Sequence, residues 1–106
     1  MNIYTIYADI IEGSNPKQFV TNMKNFLNAL PTLQSYRITR MKLGFRSMDM
    51  PEFRIDMEFN SMQDLDDAMT NVIHNDNNIE KHHVSFNSMV DMKTIQHFLY
   101  RDYPDE

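Results

Sequence analysis

Two arginines and two histidines, Arg40, Arg46, His74 and His82, are the residues of this 106-residue chain best suited to gripping an anion. A guanidinium presents a planar fork of donors that matches a carboxylate or phosphate, and an imidazole adds a donor whose charge changes near neutral pH. Tyr36 and Tyr4 supply phenol hydroxyls beside an interior of Met, Phe and Ile. These types together describe a site with an anionic head at a rim and an apolar tail inside, because small-ligand pockets are mostly apolar with few polar anchors. Their meeting depends on the elements that carry them.

Other chemistry is weaker in the sequence. Glu80, His82 and His83, with His74 nearby, suggest a metal site, but adjacent histidines on a strand point to opposite faces and do not chelate one ion, so no metal is expected. Asn75-Asp76-Asn77-Asn78 lacks the Gly and distal Glu of a calcium-binding helix–loop–helix and reads as a turn. No cofactor motif is present, and no cofactor is expected. Tyr36, His82 and Asp56 are the groups from which an acid–base set can be drawn. Asp56 or Glu58, if desolvated, would serve as a general base. The bland reading of Arg37, Thr39, Arg54, Asp56 and Glu58, with Tyr7 and Asp9, is a set of cross-strand and cross-dimer ion pairs.

The elements follow from periodicity. From Glu52 to Asn60 the chain alternates, with Phe53, Ile55, Met57 and Phe59 on one side and Glu52, Arg54, Asp56 and Glu58 on the other, which is a half-buried strand. Asn2 to Ile11 reads as a strand apolar on both faces, hence covered on both. Ser14 or Asn15 caps a helix with Pro16 in its first turn and a stripe of Phe19, Met23, Phe26, Leu27 and Leu30, ending before Pro31. A second strand runs from about Gln34 to Leu43, and Gly44 to Pro51 turns the chain into the Glu52 strand. Ser61 with Asp64 imitates a capping box for a helix whose stripe is Met62, Leu65, Met69, Val72 and Ile73, stopping in the tract Asn75 to Asn78. A last strand is expected over about His82 to Val90, and Asp91 is expected to cap a short final helix carrying Ile95, Phe98 and Leu99 before Pro104.

This order, βαββαβ plus a short C-terminal helix, is the ferredoxin-like α+β plan: two helices on one face of a four-stranded antiparallel sheet of order 4-1-3-2, in one domain spanning residues 1–106. Tyr4, Ile6, Ala8 and Ile10, Tyr36 and Ile38, and Val84, Phe86 and Val90 then share the covered face with Phe53 to Phe59. The same period places Arg40 and His82 there. Strands one and two finish, and three and four begin, at one edge, gathering Ile10, Arg40, Phe53 and His82. The start of helix one adds the N–H groups of Ser14 to Phe19, the end of helix two adds His74, and the connecting loop adds Arg46. Strands two and four are the sheet's edges, roughly 14 Å apart at ~4.8 Å per strand, so Arg40 and His82 grip one carboxylate only if their side chains converge. The alternative for Arg40 is to snorkel or to pair with Glu12 or Asp76.

Composition narrows the setting. A net charge of -5 argues against wrapping a nucleic-acid backbone, which needs a basic stripe to release counterions. No apolar run approaches the ~20 residues of a membrane span and no signal-like N-terminus is present, so neither export nor a membrane is expected. With no Cys there is no disulfide or thiolate site, which fits the cytoplasm. The ten Met either follow a low-GC coding bias or line an adaptable pocket.

Two helices cover one sheet face only, so the doubly apolar first strand calls for a second sheet, most simply a copy of itself. In layout the whole chain resembles the dimeric α+β barrel superfamily, in which two ferredoxin-like sheets pair face to face. The strand Phe53-Arg54-Ile55-Asp56-Met57-Glu58-Phe59 and the ending Arg101-Asp102-Tyr103-Pro104-Asp105 resemble those of small uncharacterised dimeric ferredoxin-like proteins. The resemblance implies a homodimer and transfers no catalytic residue. The leading expectation is a cytoplasmic homodimer that binds a small amphipathic organic acid, fatty-acid-like or aromatic, between sheet and helices, as a sensor, carrier or enzyme subunit. The alternatives are a cofactor-independent monooxygenase or isomerase on the same pocket and a purely structural dimer.

Overall fold

Strand β3 (Phe53–Phe59) carries the cleanest alternation, and its geometry obeys it: Phe53, Ile55, Met57 and Phe59 are buried while Arg54 is exposed. The computed structural model describes residues 1–44, 50–73 and 77–104, with the backbone alone at residues 73 and 77–80. β3 lies inside a four-stranded sheet of order β2-β3-β1-β4, with β1 spanning Asn2–Ile10, β2 Ser35–Arg40 and β4 Val90–Arg101. All neighbouring pairs are antiparallel, and the order is the expected 4-1-3-2 read from the other edge. The register sets Ala8 and Arg40 opposite Phe53, Ile6 and Ile38 opposite Ile55, and Tyr4 and Tyr36 opposite Met57. Directly opposed residues share a face, so this is one continuous surface.

Helix α1 (Pro16–Ala29) begins where the local chemistry requires. Asn15 Oδ1 accepts from the backbone N–H of Lys17 at 2.9 Å and of Gln18 at 3.3 Å, and Pro16 occupies a position whose N–H would have no helical partner. Leu30 leaves the helical region because Pro31 follows it. Phe19, Met23, Phe26 and Leu27 are buried against the sheet, and the rings of Phe19 and Phe53 meet edge-on at 5.0 Å. Helix α2 (Met62–Ile73) is capped by Ser61, whose hydroxyl accepts from the Asp64 N–H at 3.1 Å, and it buries Leu65 and Ala68.

The C-terminal third departs from the sequence reading. Most of the stretch expected as the fourth strand, His82 to Val90, belongs to a helix, α3 (Asn77–Asn87), and the segment expected as the final helix is β4. Val84, Phe86 and Val90 alternate as a strand would, yet His83 and Phe86 also have helical spacing, and that period wins because α1 offers a surface for it. The Phe26 ring lies 5.4 Å from His83 and 4.8 Å from Phe86, and Asn22 Nδ2 donates to Ser85 O at 3.3 Å. Val84, expected in the core, is exposed. Asp91 does cap something: its Oδ1 accepts from Lys93 N–H at 3.1 Å, and its carbonyl accepts from the Thr94 hydroxyl at 2.7 Å. Asx capping serves turns as well as helices. Thr94 Oγ1 in turn accepts from Asp9 N–H at 2.9 Å, closing a bulge in which β1 moves from Asp9 to Tyr7 while β4 moves from Asp91 to Gln96.

The helices' buried residues form one core with the Phe53–Phe59 face. The opposite face, with Ile3, Thr5 and Tyr7 opposed to Tyr100, Phe98 and Gln96, has no described helix over it. No described helix is long and apolar enough to cross a membrane.

Candidate functional site

The covered face is open between α1 and the edge strand β2. There a groove of about 890 Å³ runs along the helix. Its apolar floor comes from Val20, Ile38, Phe53 and the Tyr36 ring. Its cations are Lys17 and Lys24 on the helix side and Arg40 on the strand side, with Arg37 at the outer edge, and among the described residues no carboxylate lines it. In a chain of net charge -5 this is a local reversal of sign.

Helix geometry explains the lysines. At about 100° per residue, Lys17, Val20, Thr21 and Lys24 fall on one flank of α1, while Asn22 and Phe26, which hold α3, fall on the opposite flank. Strand geometry explains Tyr36, Ile38 and Arg40, which alternate onto the covered face, whereas Arg37 and Thr39 border the groove from the exposed edge. Arg40 stacks over the Phe53 ring, its guanidinium carbon 5.4 Å from the centroid, and its Nε donates to Glu52 Oε1 at 3.0 Å. That partner is neither Glu12 nor Asp76. Both side chains of the pair are about half exposed, so it contributes little stability.

Of the six residues expected to bind the ligand, Arg40 and Tyr36 share the groove. His82 sits on α3 rather than on a strand, and α1 stands between it and Arg40. Tyr4 is on the covered face but four residues along β1 from the row containing Arg40, where its hydroxyl lies 2.7 Å from His97 Nδ1. Burial raises the Tyr4 pKa above that of a free phenol. Arg46 and His74 lie outside the described residues. The N-terminal amides of α1 are also less available than expected, because Asn15 already accepts from those of Lys17 and Gln18. His82 and His83 are neighbours on a helix, so the argument from opposite strand faces does not apply to them. Among the described residues no three His, Cys, Asp or Glu side chains gather as a metal site.

The uncovered sheet face carries a second cluster. Thr5, fully buried, donates its hydroxyl to Asp56 Oδ1 at 2.6 Å, and Arg54 Nε pairs with Asp56 Oδ2 at 3.1 Å while its guanidinium lies over the Tyr7 ring. Both carboxylate oxygens of Asp56 are thus engaged, by an ion pair within β3 in place of the expected cross-strand pair and by a hydrogen bond from β1. Ser35 similarly donates to Glu58 Oε2 at 2.6 Å. Lys17 and Lys24 were not singled out by motif. Their signal is the spacing of seven residues on the polar flank of α1, visible only once β2 is known to leave that flank uncovered.

A helix-covered antiparallel sheet of this order defines the ferredoxin-like α+β class. The model of the family described as "Family of unknown function (DUF6614)" matches residues 1–106, and the chain belongs to that family. None of the curated proteins matches the chain significantly. Among solved structures, the protein At3g17210 of Arabidopsis thaliana is similar at 9% identity over 96% of this chain and 95% of that one, with a TM-score of 0.76. A dimeric ferredoxin-like protein of unknown function from Thermobifida fusca is similar at 13% identity, covering 94% and 90%, with a TM-score of 0.63. SnoaB, a cofactor-independent oxygenase from Streptomyces nogalater, is similar at 12% identity, covering 96% and 93%, with a TM-score of 0.62. At such identities the likeness is one of fold.

Proposed function

We propose that this protein is a homodimer, paired through its uncovered sheet faces, that binds a small amphipathic organic acid, fatty-acid-like or aromatic, in the groove between α1 and β2. The observation that carries the reading is the cation-rimmed groove over an apolar floor, lined by no carboxylate among the described residues. Arg40 and Lys17 hold the acid head, and Val20, Ile38 and the Tyr36 ring contact the tail. The dimer rests on the apolar residues Ile3, Tyr7, Phe98 and Tyr100 of the uncovered face, and the dimeric Thermobifida fusca relative has the same fold. Binding is favoured over acid–base catalysis because the three candidate catalytic groups are dispersed: Tyr36 is in the groove, Asp56 is on the other sheet face, and His82 is beyond α1.

The test is thermal denaturation with nonanoate and with 1-nonanol. A ligand that binds only the native state adds about 2.7 kcal/mol at 100 times its dissociation constant, so the acid should raise the melting temperature and the alcohol much less. Arg40→Met keeps the apolar stem and removes the fork; it should cost roughly 1.5 to 3 kcal/mol of acid binding without unfolding the protein. Equal stabilisation by acid and alcohol refutes the reading.

A further inference from the structure

We infer that the groove takes its ligand lengthwise and grips both ends, so that its occupant is a linear organic acid with a second anionic group at the far end of an apolar chain. The inference rests on the groove being the ligand site. β1 and β2 run parallel to each other and α1 returns between them, so the start of α1 lies beside the end of β2. This pairs Lys17 with Arg40 at one end of the groove and Lys24 with Tyr36 at the other, with Val20 and Ile38 between. Lys17 and Lys24 are seven residues apart, about 10.5 Å along the helix axis at 1.5 Å per residue, and one flank carries both. Arg40 and Tyr36 are four residues apart, about 13 Å along the strand.

A monocarboxylate satisfies only one of these poles. At the Arg40 end part of the charge is already met by Glu52, whereas among the described residues no carboxylate lines the groove at the Lys24 end. An extended nonanedioate has about the length that separates the poles, and its methylenes match the apolar middle. Succinate is too short to reach both.

Calorimetric titration of the whole protein with nonanedioate, nonanoate and succinate tests this. Nonanedioate should bind about tenfold tighter than nonanoate, the scale of one additional charged hydrogen bond, and succinate should bind weakly. Lys24→Met, an exposed substitution, should reduce nonanedioate to the affinity of nonanoate and leave nonanoate unchanged. Nonanedioate no tighter than nonanoate, or a Lys24→Met variant that weakens both acids equally, overturns two-ended binding while leaving the groove as a monocarboxylate site. Binding of neither acid refutes the groove as a ligand site, and the two-ended reading with it.

Discussion

The two faces of the sheet differ in how they satisfy their own residues. On the covered face, Phe53, Ile55, Met57 and Phe59 are buried by helices of the same chain, and the cover opens at the groove beside β2. On the uncovered face, Thr5, Asp56, Arg54 and Ser35–Glu58 complete one another's hydrogen bonds, while Phe98 and Tyr100 stay largely exposed beside them. Polar groups can be finished within one chain by a few short bonds; apolar surface needs area, and no element among the described residues supplies it. A contiguous apolar patch on a soluble chain marks an interaction surface.

The comparison can be broken from either side. The largest effect belongs to the covered face: Phe59→Ala should lose about 3–5 kcal/mol in urea denaturation, since it empties a fully buried site. A loss below 1 kcal/mol would mean that the core is not closed there. On the uncovered face, Ile3→Asp places a carboxylate opposite Glu58, and sedimentation should then show monomers or aggregates in place of the dimer. A wild-type monomer at micromolar concentration would show that this face needs no partner. The smallest effect concerns His83, which packs between Phe26 and Phe86. Burial lowers its pKa from the ordinary 6.5, so the unfolded chain takes up the proton first. Stability is therefore full above that value and declines as pH falls below it toward the depressed folded value. His83→Gln should flatten this part of the stability–pH curve, and an unchanged slope would assign the acid sensitivity elsewhere.

Legibility in the sequence followed the range of the interactions. The α1 cap at Ser14 or Asn15, the Ser61–Asp64 contact and the β3 alternation are decided within a few residues and are legible in the sequence, with the structure choosing Asn15 for the cap. So were the strand order and the covered face of β1 and β2, which rest on handed connections and on period two. The exchange of strand and helix after Asn77 was not, because residues 82–90 satisfy both periods and the choice is made by Phe26 and Asn22, more than fifty residues away. Asp91 compounded the error, since a side chain capping a turn and one capping a helix look the same in sequence. The candidate site inherits this: Arg40 and Tyr36 follow from the alternation of β2 and line one groove, whereas His82 lies on α3 and not on a strand.

The bulge between Asp9 and Asp91 has a consequence for how the protein behaves in a crowded solution. β4 is twelve residues long and forms a rim of the sheet, with Met92, Phe98, Leu99 and Tyr100 exposed, the profile of a strand that recruits foreign chains into fibrils. The turn from Asp91 to Thr94 interrupts its ladder after two residues, so that regular pairing resumes only at Gln96. An incoming strand therefore finds six residues of straight template instead of twelve, ending at Arg101. At the other rim β2 is itself only six residues long and carries two arginines. The sheet thus limits end-to-end growth at both rims, by a kink at one and by shortness and charge at the other.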